Sequence, residues 1–167
     1  RVLHADCARC VGLCCVAPLF VASTEFAVTK FAGDPCPNLA GDNRCTIHDR
    51  LRERGFPGCV TYDCFGAGQR VSSELLPGTD WRTGDAAATA LFDAFEVVRP
   101  LHELLWYLEA ALALEATLPL AARLAAAHGE TDALAGRAGA PGGPGRLEVD
   151  LHRGNVAGLL REASALA

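Results

Sequence analysis

Apolar residues recur at steps of three and four over Leu91, Phe95, Val98, Leu101, Leu105, Leu108 and Leu112, which places them on one face of a helix. Thr83 or Asp80 stands where a cap for its start is needed. Pro100 removes one backbone donor and is expected to kink or divide this helix. Pro119 suits the first turn of a second helix running to His128, with Gly129 as its stop. A third, short helix is expected over 130–138. The glycine- and proline-rich run 139–145 is a linker by composition. A last helix covers 147–165, with Leu147, Leu151, Val156, Leu159, Leu160 and Leu166 inward. Trp81, Trp106 and Tyr107 are expected to pack this helical part, with Tyr62 nearer the cysteines.

Residues 1–64 carry no such period. Breakers interrupt them throughout: Pro18, Gly33, Pro35, Pro37, Gly41, Gly55, Pro57 and Gly58. Short stretches at 16–20 and 26–31 are candidates for brief strands or turns. A segment of this kind buries too little apolar surface to fold alone, so a staple is required. The expected fold is therefore mainly α. An irregular, metal-stapled cysteine-rich module (1–70) packs on a small C-terminal helical bundle (80–167).

Composition sharpens this division. All eight cysteines lie in the first 64 residues: Cys7, Cys10, Cys14, Cys15, Cys36, Cys45, Cys59 and Cys64. Charge divides at the same place. Residues 1–64 hold seven basic and seven acidic side chains, so the later part accounts for the whole net charge of -5. That balance argues against broad nucleic-acid binding, which needs a positive field. No run reaches the roughly 18 to 20 apolar residues of a membrane span. The richest, 101–114, is interrupted by His102, Glu103 and Glu109. A cytoplasmic protein is expected. The chain begins with Arg1 and contains no Met, which points to a natural start upstream.

Cys7-x2-Cys10 followed by Cys14-Cys15 is the sharpest motif. Thiols two residues apart can turn toward one centre, a geometry shared by zinc and iron–sulfur sites. Cys36-Pro37, Cys45-Thr46-Ile47-His48, Cys59 and Cys64 form a second cluster, in which Cys45-x2-His48 also has ligand spacing. The competing reading is a disulfide framework, as in small secreted domains. It is disfavoured because half of the cysteines crowd between Cys7 and Cys15 and a long cysteine-free part follows. Adjacent Cys14 and Cys15 are expected to point in different directions. His48 is an even choice between ligand and surface residue, whereas His4, His102, His128 and His152 are scattered and fit surface or core roles. Arg50, Arg52 and Arg54 fit a solvated face, and Gly66-Ala67-Gly68 is a flexible turn rather than a P-loop. No Ser/His/Asp nucleophile signature appears.

These motifs resemble the YkgJ-like cysteine-cluster family, described as a zinc- or iron-chelating domain. The resemblance rests on Cys7-Ala-Arg-Cys10 with the Cys14-Cys15 pair, Cys36-Pro37-Asn38-Leu39, Cys45-Thr46-Ile47-His48, and Cys59 after an Arg-rich turn with Tyr62 behind it. It covers about a third of the chain. Three residues, Val11, Gly12 and Leu13, separate Cys10 from Cys14 where the family has two, and Cys64 is additional. The flagellin lysine methylases look similar in their cysteine cluster and are thought to hold an iron–sulfur cluster. A looser resemblance links 62–69 and the helical tail to actinobacterial proteins labelled pentapeptide-repeat-containing, although no run of five-residue repeats occurs here.

The expected function is metal binding: an iron–sulfur cluster, favoured as 4Fe-4S, held by the N-terminal cysteines with an electron-transfer or redox-sensing role. The cluster is favoured over Zn2+ because Val11, Leu13, Val16, Leu19, Phe20 and Phe26 offer apolar wrapping. The alternatives are a structural zinc module mediating protein interaction and a metalloenzyme with an open coordination position. The expected partners are the metal or cluster and a protein docking on the helical part, with neither nucleic acid nor membrane.

Overall fold

One long helix organises the molecule. In the computed structural model, which describes residues 1–167, helix α4 of the chain spans Ala86–Leu112. Three short helices precede it: α1 (Leu13–Val16), α2 (Pro57–Thr61) and α3 (Ala67–Arg70). Two longer ones follow: α5 (Ala121–Gly136) and α6 (Arg146–Ser164). There is no sheet, so the mainly α expectation holds.

The apolar stripe of α4 is buried as its spacing predicts, except that Leu112 at its end is exposed. Its cap is Asp85, whose carboxylate accepts from the Ala87 and Ala88 N–H groups at 2.9 and 3.0 Å. Asp80 caps the preceding turn, Trp81–Thr83, instead. Pro100 does not divide the helix. A proline inside a helix costs about 3 kcal/mol, while burying each large apolar side chain returns about 1.5 to 3 kcal/mol. Val98, Leu101, Leu104 and Leu105, all buried around it, outweigh the loss.

The two halves of α4 serve different cores. Its second half places Leu101, Leu104, Leu108 and Ala111 against Leu124, Leu134 and Ala135 of α5 and Val149, Val156, Leu159 and Ala163 of α6. Its first half packs Leu91, Ala94, Phe95 and Val98 on Leu13, Ala17, Ala67 and Val71 of the cysteine-rich part. The cysteine module and the bundle thus share a helix.

Several boundaries differ from expectation. The chain turns by 112° between α4 and the segment Glu115–Gly136. Pro119 sits in the 3-10 turn Glu115–Leu120 at that corner, ahead of α5. Buried Thr117 fastens the corner by donating to Ala111 O at 2.6 Å and Leu114 O at 2.8 Å. Helix α5 passes through Gly129, so no separate helix over 130–138 exists. A mid-helix glycine costs only about 1 kcal/mol relative to Ala, less than burial of Leu124 and Leu134 returns. The run 139–145 is a tight turn held by Ala140 N–H to Arg137 O and Gly143 N–H to Ala140 O, with Pro144 buried.

Helix α6 turns a different face inward. Val149, Val156, Leu159 and Ala163 are buried, whereas Leu147 (74% exposed), Leu151 and Leu166 lie outside. Leu160 is half-buried beside this core. Val149 and Ala163, absent from the expected face, lie at steps of seven and four from Val156 and Leu159. Trp106 and Tyr107 are also exposed to about half, in edge contact at 5.3 Å. Trp81 packs on the cysteine module, where its Nε1–H donates to Val11 O at 2.8 Å.

In the N-terminal part the expected strands reduce to one antiparallel bridge between Phe20 and Lys30, since 13–16 is helical. Residues 66–68 are not a flexible turn. They open α3, and Ala67, Gly68, Gln69 and Arg70 are all buried. A small core of Phe20, Cys36, Ile47 and Phe56 lies under the loops. No helix is long and apolar enough to cross a membrane.

Candidate metal centre

The cysteines arrive from six short segments. Cys7 opens a 3-10 turn, Cys7–Arg9, capped by Asp6, and Cys10 follows with its N–H toward Cys7 O at 3.5 Å. Gly12 then turns the chain into α1 with φ of 79°, a conformation favouring glycine, and this places Cys14 and Cys15. Cys36 is tied to that helix by its N–H donating to Cys15 O at 2.9 Å. Cys45 pairs across a bridge with Leu39. Cys59 lies in α2, and Cys64 precedes α3, its carbonyl accepting from Ala67 N–H at 2.8 Å.

These segments enclose a cavity of about 440 Å3. Cys7, Cys10, Cys14, Cys15, Cys45, Cys59 and Cys64 line it, together with His48 and Tyr62. Cys36 is buried outside the lining. Leu19, Phe20, Phe26 and Leu51 form apolar wall. Of the expected wrapping, Leu13 and Val16 are buried and Leu19 is largely exposed. All eight thiols are free. His48 is exposed, and Arg50, Arg52 and Arg54 are solvated as expected.

The donors surround a space rather than meeting at a point. No three of the His, Cys, Asp and Glu side chains converge closely enough to hold one metal ion. A single zinc needs four donors at about 2.0 to 2.3 Å from one atom. A polynuclear cluster attaches its thiolates to separate metal atoms, so it accepts donors spread around a cavity.

Burial governs the charge state of the thiols. Burial pushes the thiols of Cys7, Cys10, Cys45 and Cys64 up, and that of Cys59 to about 11. Cys14 rises most, first through the adjoining Cys15 sulfur and then through burial. The two neighbours therefore do not point apart as expected; their sulfurs adjoin. Backbone N–H groups oppose these rises: Gly12 and Leu13 at Cys10, Ile47 at Cys45, Gly66 and Gly68 at Cys64. Unliganded, Cys7, Cys10, Cys14, Cys45, Cys59 and Cys64 stay neutral at pH 7. A metal charge reverses that preference, and the N–H groups already favour the thiolates.

Three positioning features gave no motif-level signal. Gln69 grips the segment carrying Cys7: its Nε2–H donates to His4 O at 2.7 Å and its Oε1 accepts from Asp6 N–H at 3.0 Å. Ser72, in the π-helical turn Val71–Leu75, accepts from Val11 N–H at 3.3 Å and donates toward Cys10 Sγ at 3.9 Å. Lys30 is buried, its Nζ donating to Val16 O at 2.9 Å, to Phe31 O at 3.2 Å and to Pro18 O, over the Phe20 ring.

Gly68 is the tightest approach of the helical side to the site. A Cβ there would stand 2.7 Å from Cys10 Sγ. Gly68→Ala is expected to displace Cys10, cost about 1 to 3 kcal/mol as overpacking does, and lower metal content per chain. Elemental analysis beside thermal unfolding checks both; unchanged metal content would show that Cys10 is not a ligand.

The chain is 48% identical over 122 residues to "Uncharacterized protein YybG" of Bacillus subtilis (strain 168). The match covers 73% of this chain and 44% of that protein, so the chain spans less than half the length of this relative. No family model matches. No solved structure matches.

Proposed function

We propose that this chain is a metal-binding protein whose N-terminal cysteines hold an iron–sulfur cluster, of the 4Fe-4S type, for electron transfer or redox sensing. The observation that carries this reading is the cavity lined by seven thiols that share a space without sharing a point. The apolar wall of Phe20, Phe26 and Leu51 supports it, because excluding water from a cluster tunes its potential. The resemblance of residues 7–64 to the YkgJ-like family points the same way. Free thiols suit a reducing compartment, and we place the protein in the cytoplasm.

Zinc is the second reading, since the same thiols are good zinc ligands. The spacing of the donors disfavours it as a single closed ion. An enzyme with an open coordination position would need one thiol withdrawn from the shell.

Purification without oxygen decides the matter. A brown protein with broad visible absorption, iron and acid-labile sulfide is the expected result. A colourless protein with stoichiometric zinc, or one with no metal after reconstitution with iron and sulfide, overturns it.

A further inference from the structure

We propose that the outer face of α4 around Trp106 and Tyr107 is where an electron-exchanging protein with a basic surface docks. This inference rests on the electron-transfer reading above and names the class of partner which that reading needs.

Aromatic rings lead from the cavity to this face. Tyr62 lines the cavity. The Arg99 guanidinium lies over the Tyr62 ring at 5.5 Å and over the Phe65 ring at 5.6 Å. Phe65 meets Trp106 at 5.9 Å between ring centroids, and Trp106 meets Tyr107 at 5.3 Å. Trp106 and Tyr107 are each exposed to about half, so the series starts at the thiol-lined space and ends in solvent. One link is held against its backbone preference. Phe65 has φ of 49°, a left-handed conformation that is rare for a bulky side chain. Two hydrogen bonds hold it: its N–H donates to Asp63 Oδ1 at 2.7 Å, and its carbonyl accepts from His102 Nδ1–H at 2.6 Å. Arg99 is fixed as well, donating to Asp63 O at 3.3 Å and to Glu103 at 2.9 Å.

Charge selects the partner. Along α4, Asp93, Glu96, Glu103 and Glu109 stand against Arg99 alone. Glu103 pairs with Arg99, Glu109 lies beside His128 of α5, and Asp93 and Glu96 are exposed. An aromatic centre with an acidic border fits a partner whose own apolar spot is ringed by Lys and Arg. Trp, Tyr and Arg are also the residue types that carry most binding energy at protein interfaces. One electron passes per encounter: a reduced centre in the cavity loses it, the partner gains it, and no bond or proton moves. The rings supply contact for tunnelling and are not themselves oxidised.

The probe is ferricytochrome c, a small haem protein with a basic surface. Titrated into the whole protein at low salt, it should perturb the amide resonances of residues 96–110 and bind less tightly as salt rises. Trp106→Leu should weaken binding about tenfold, as truncation of a central aromatic anchor does. Glu96→Lys should weaken it and flatten the salt dependence, whereas Leu147→Ser on the outer face of α6 should change neither. All three side chains are exposed, so these substitutions leave the cores filled. After reconstitution with iron and sulfide and reduction without oxygen, the rate of haem reduction should rank the variants in the same order. Perturbation centred on another face, equal binding by Trp106→Leu, or dimerisation that buries Trp106 would overturn the docking site. Binding at this face by a protein that assembles no cluster would keep the surface and overturn the electron-transfer reading. Equal haem reduction by every variant of a cluster-bearing protein would keep the cluster and overturn the docking site.

Discussion

Stripping the proposed metal is expected to collapse the cysteine-rich part and to leave most of the helical signal. The core there consists of Phe20, Cys36, Ile47 and Phe56, which is too little to offset the ordering of some 60 residues. Metal binding contributes on the order of 10 kcal/mol to segments of this kind, comparable to the whole net stability of many domains. Cys10→Ala should act in the same direction, since Cys10 contacts Gly68 and Ser72 and anchors the module to α3. The damage has a calculable reach. Leu91, Ala94, Phe95 and Val98 lose their partners Leu13, Ala17 and Ala67, so the first half of α4 should fray. The second half, fixed by α5 and α6, should persist. Far-ultraviolet circular dichroism with chelator should therefore show a partial helical loss, and hydrogen exchange should place it in residues 86–98. Retention of the native near-ultraviolet signal after complete metal removal would refute the staple.

The cysteines of the candidate site and much of the helical layout were legible in the sequence, for different reasons. Cysteine spacing is local, so Cys7-x2-Cys10 and its companions were visible before any fold. The α4 stripe was legible because seven apolar residues repeat over six turns and one face satisfies them all. What stayed hidden depends on neighbours distant in sequence. Val149 and Ala163 form the buried edge of α6 because α4 and α5 lie there, and small residues give a weak periodic signal. Gly68 looked like part of a turn, yet it is glycine because Cys10 Sγ lies against it. Gln69 and Lys30 are polar residues in unpatterned stretches, and only the loops they tie show why they are buried.

A second large effect is expected from Arg70, a residue that no motif marks. Its guanidinium is 4% exposed, with one N–H group donating both to Asp132 Oδ1 at 2.7 Å and to His102 Nε2 at 3.0 Å. The other terminal nitrogen donates to Asp132 O at 3.1 Å, and Nε is buried without a partner. Arg1 closes the network, reaching Asp132 at 3.0 Å and Glu74 at 2.9 Å. Because Arg70 only donates, His102 Nε2 must accept; its Nδ1–H then donates to Phe65 O at 2.6 Å. The network ties α3 to α4 and α5, the joint between the two parts. Arg70→Ala leaves buried His102 Nε2 without its donor, while Asp132, a third exposed, keeps Arg1, and losing a hydrogen bond to a buried group in this way costs about 1 to 3 kcal/mol. Acid should attack the same joint. Burial, with help from Arg70 and Arg1, lowers the His102 pKa to about 4 from 6.5, against the pull of Phe65 O and Asp132. Burial raises Asp132, but Arg1 and Arg70 outweigh it and hold the carboxyl below its ordinary range. Between pH 6.5 and 4 the unfolded chain protonates His102 and the folded one does not. Stability therefore falls as pH drops through that window, by roughly 3 kcal/mol from this group, with Asp132 adding its loss at lower pH still. Urea unfolding at several pH values, compared with His102→Leu, isolates the effect, since acid lability of thiolate ligands is common to both proteins. The variant should be less stable at neutral pH, with Phe65 O unpaired and Arg70 left with Asp132 alone, and its stability should fall less steeply between pH 6.5 and 4. Parallel curves would mean that His102 is charged in the folded protein, and the donor assignments at Nδ1 and Nε2 would have to be abandoned.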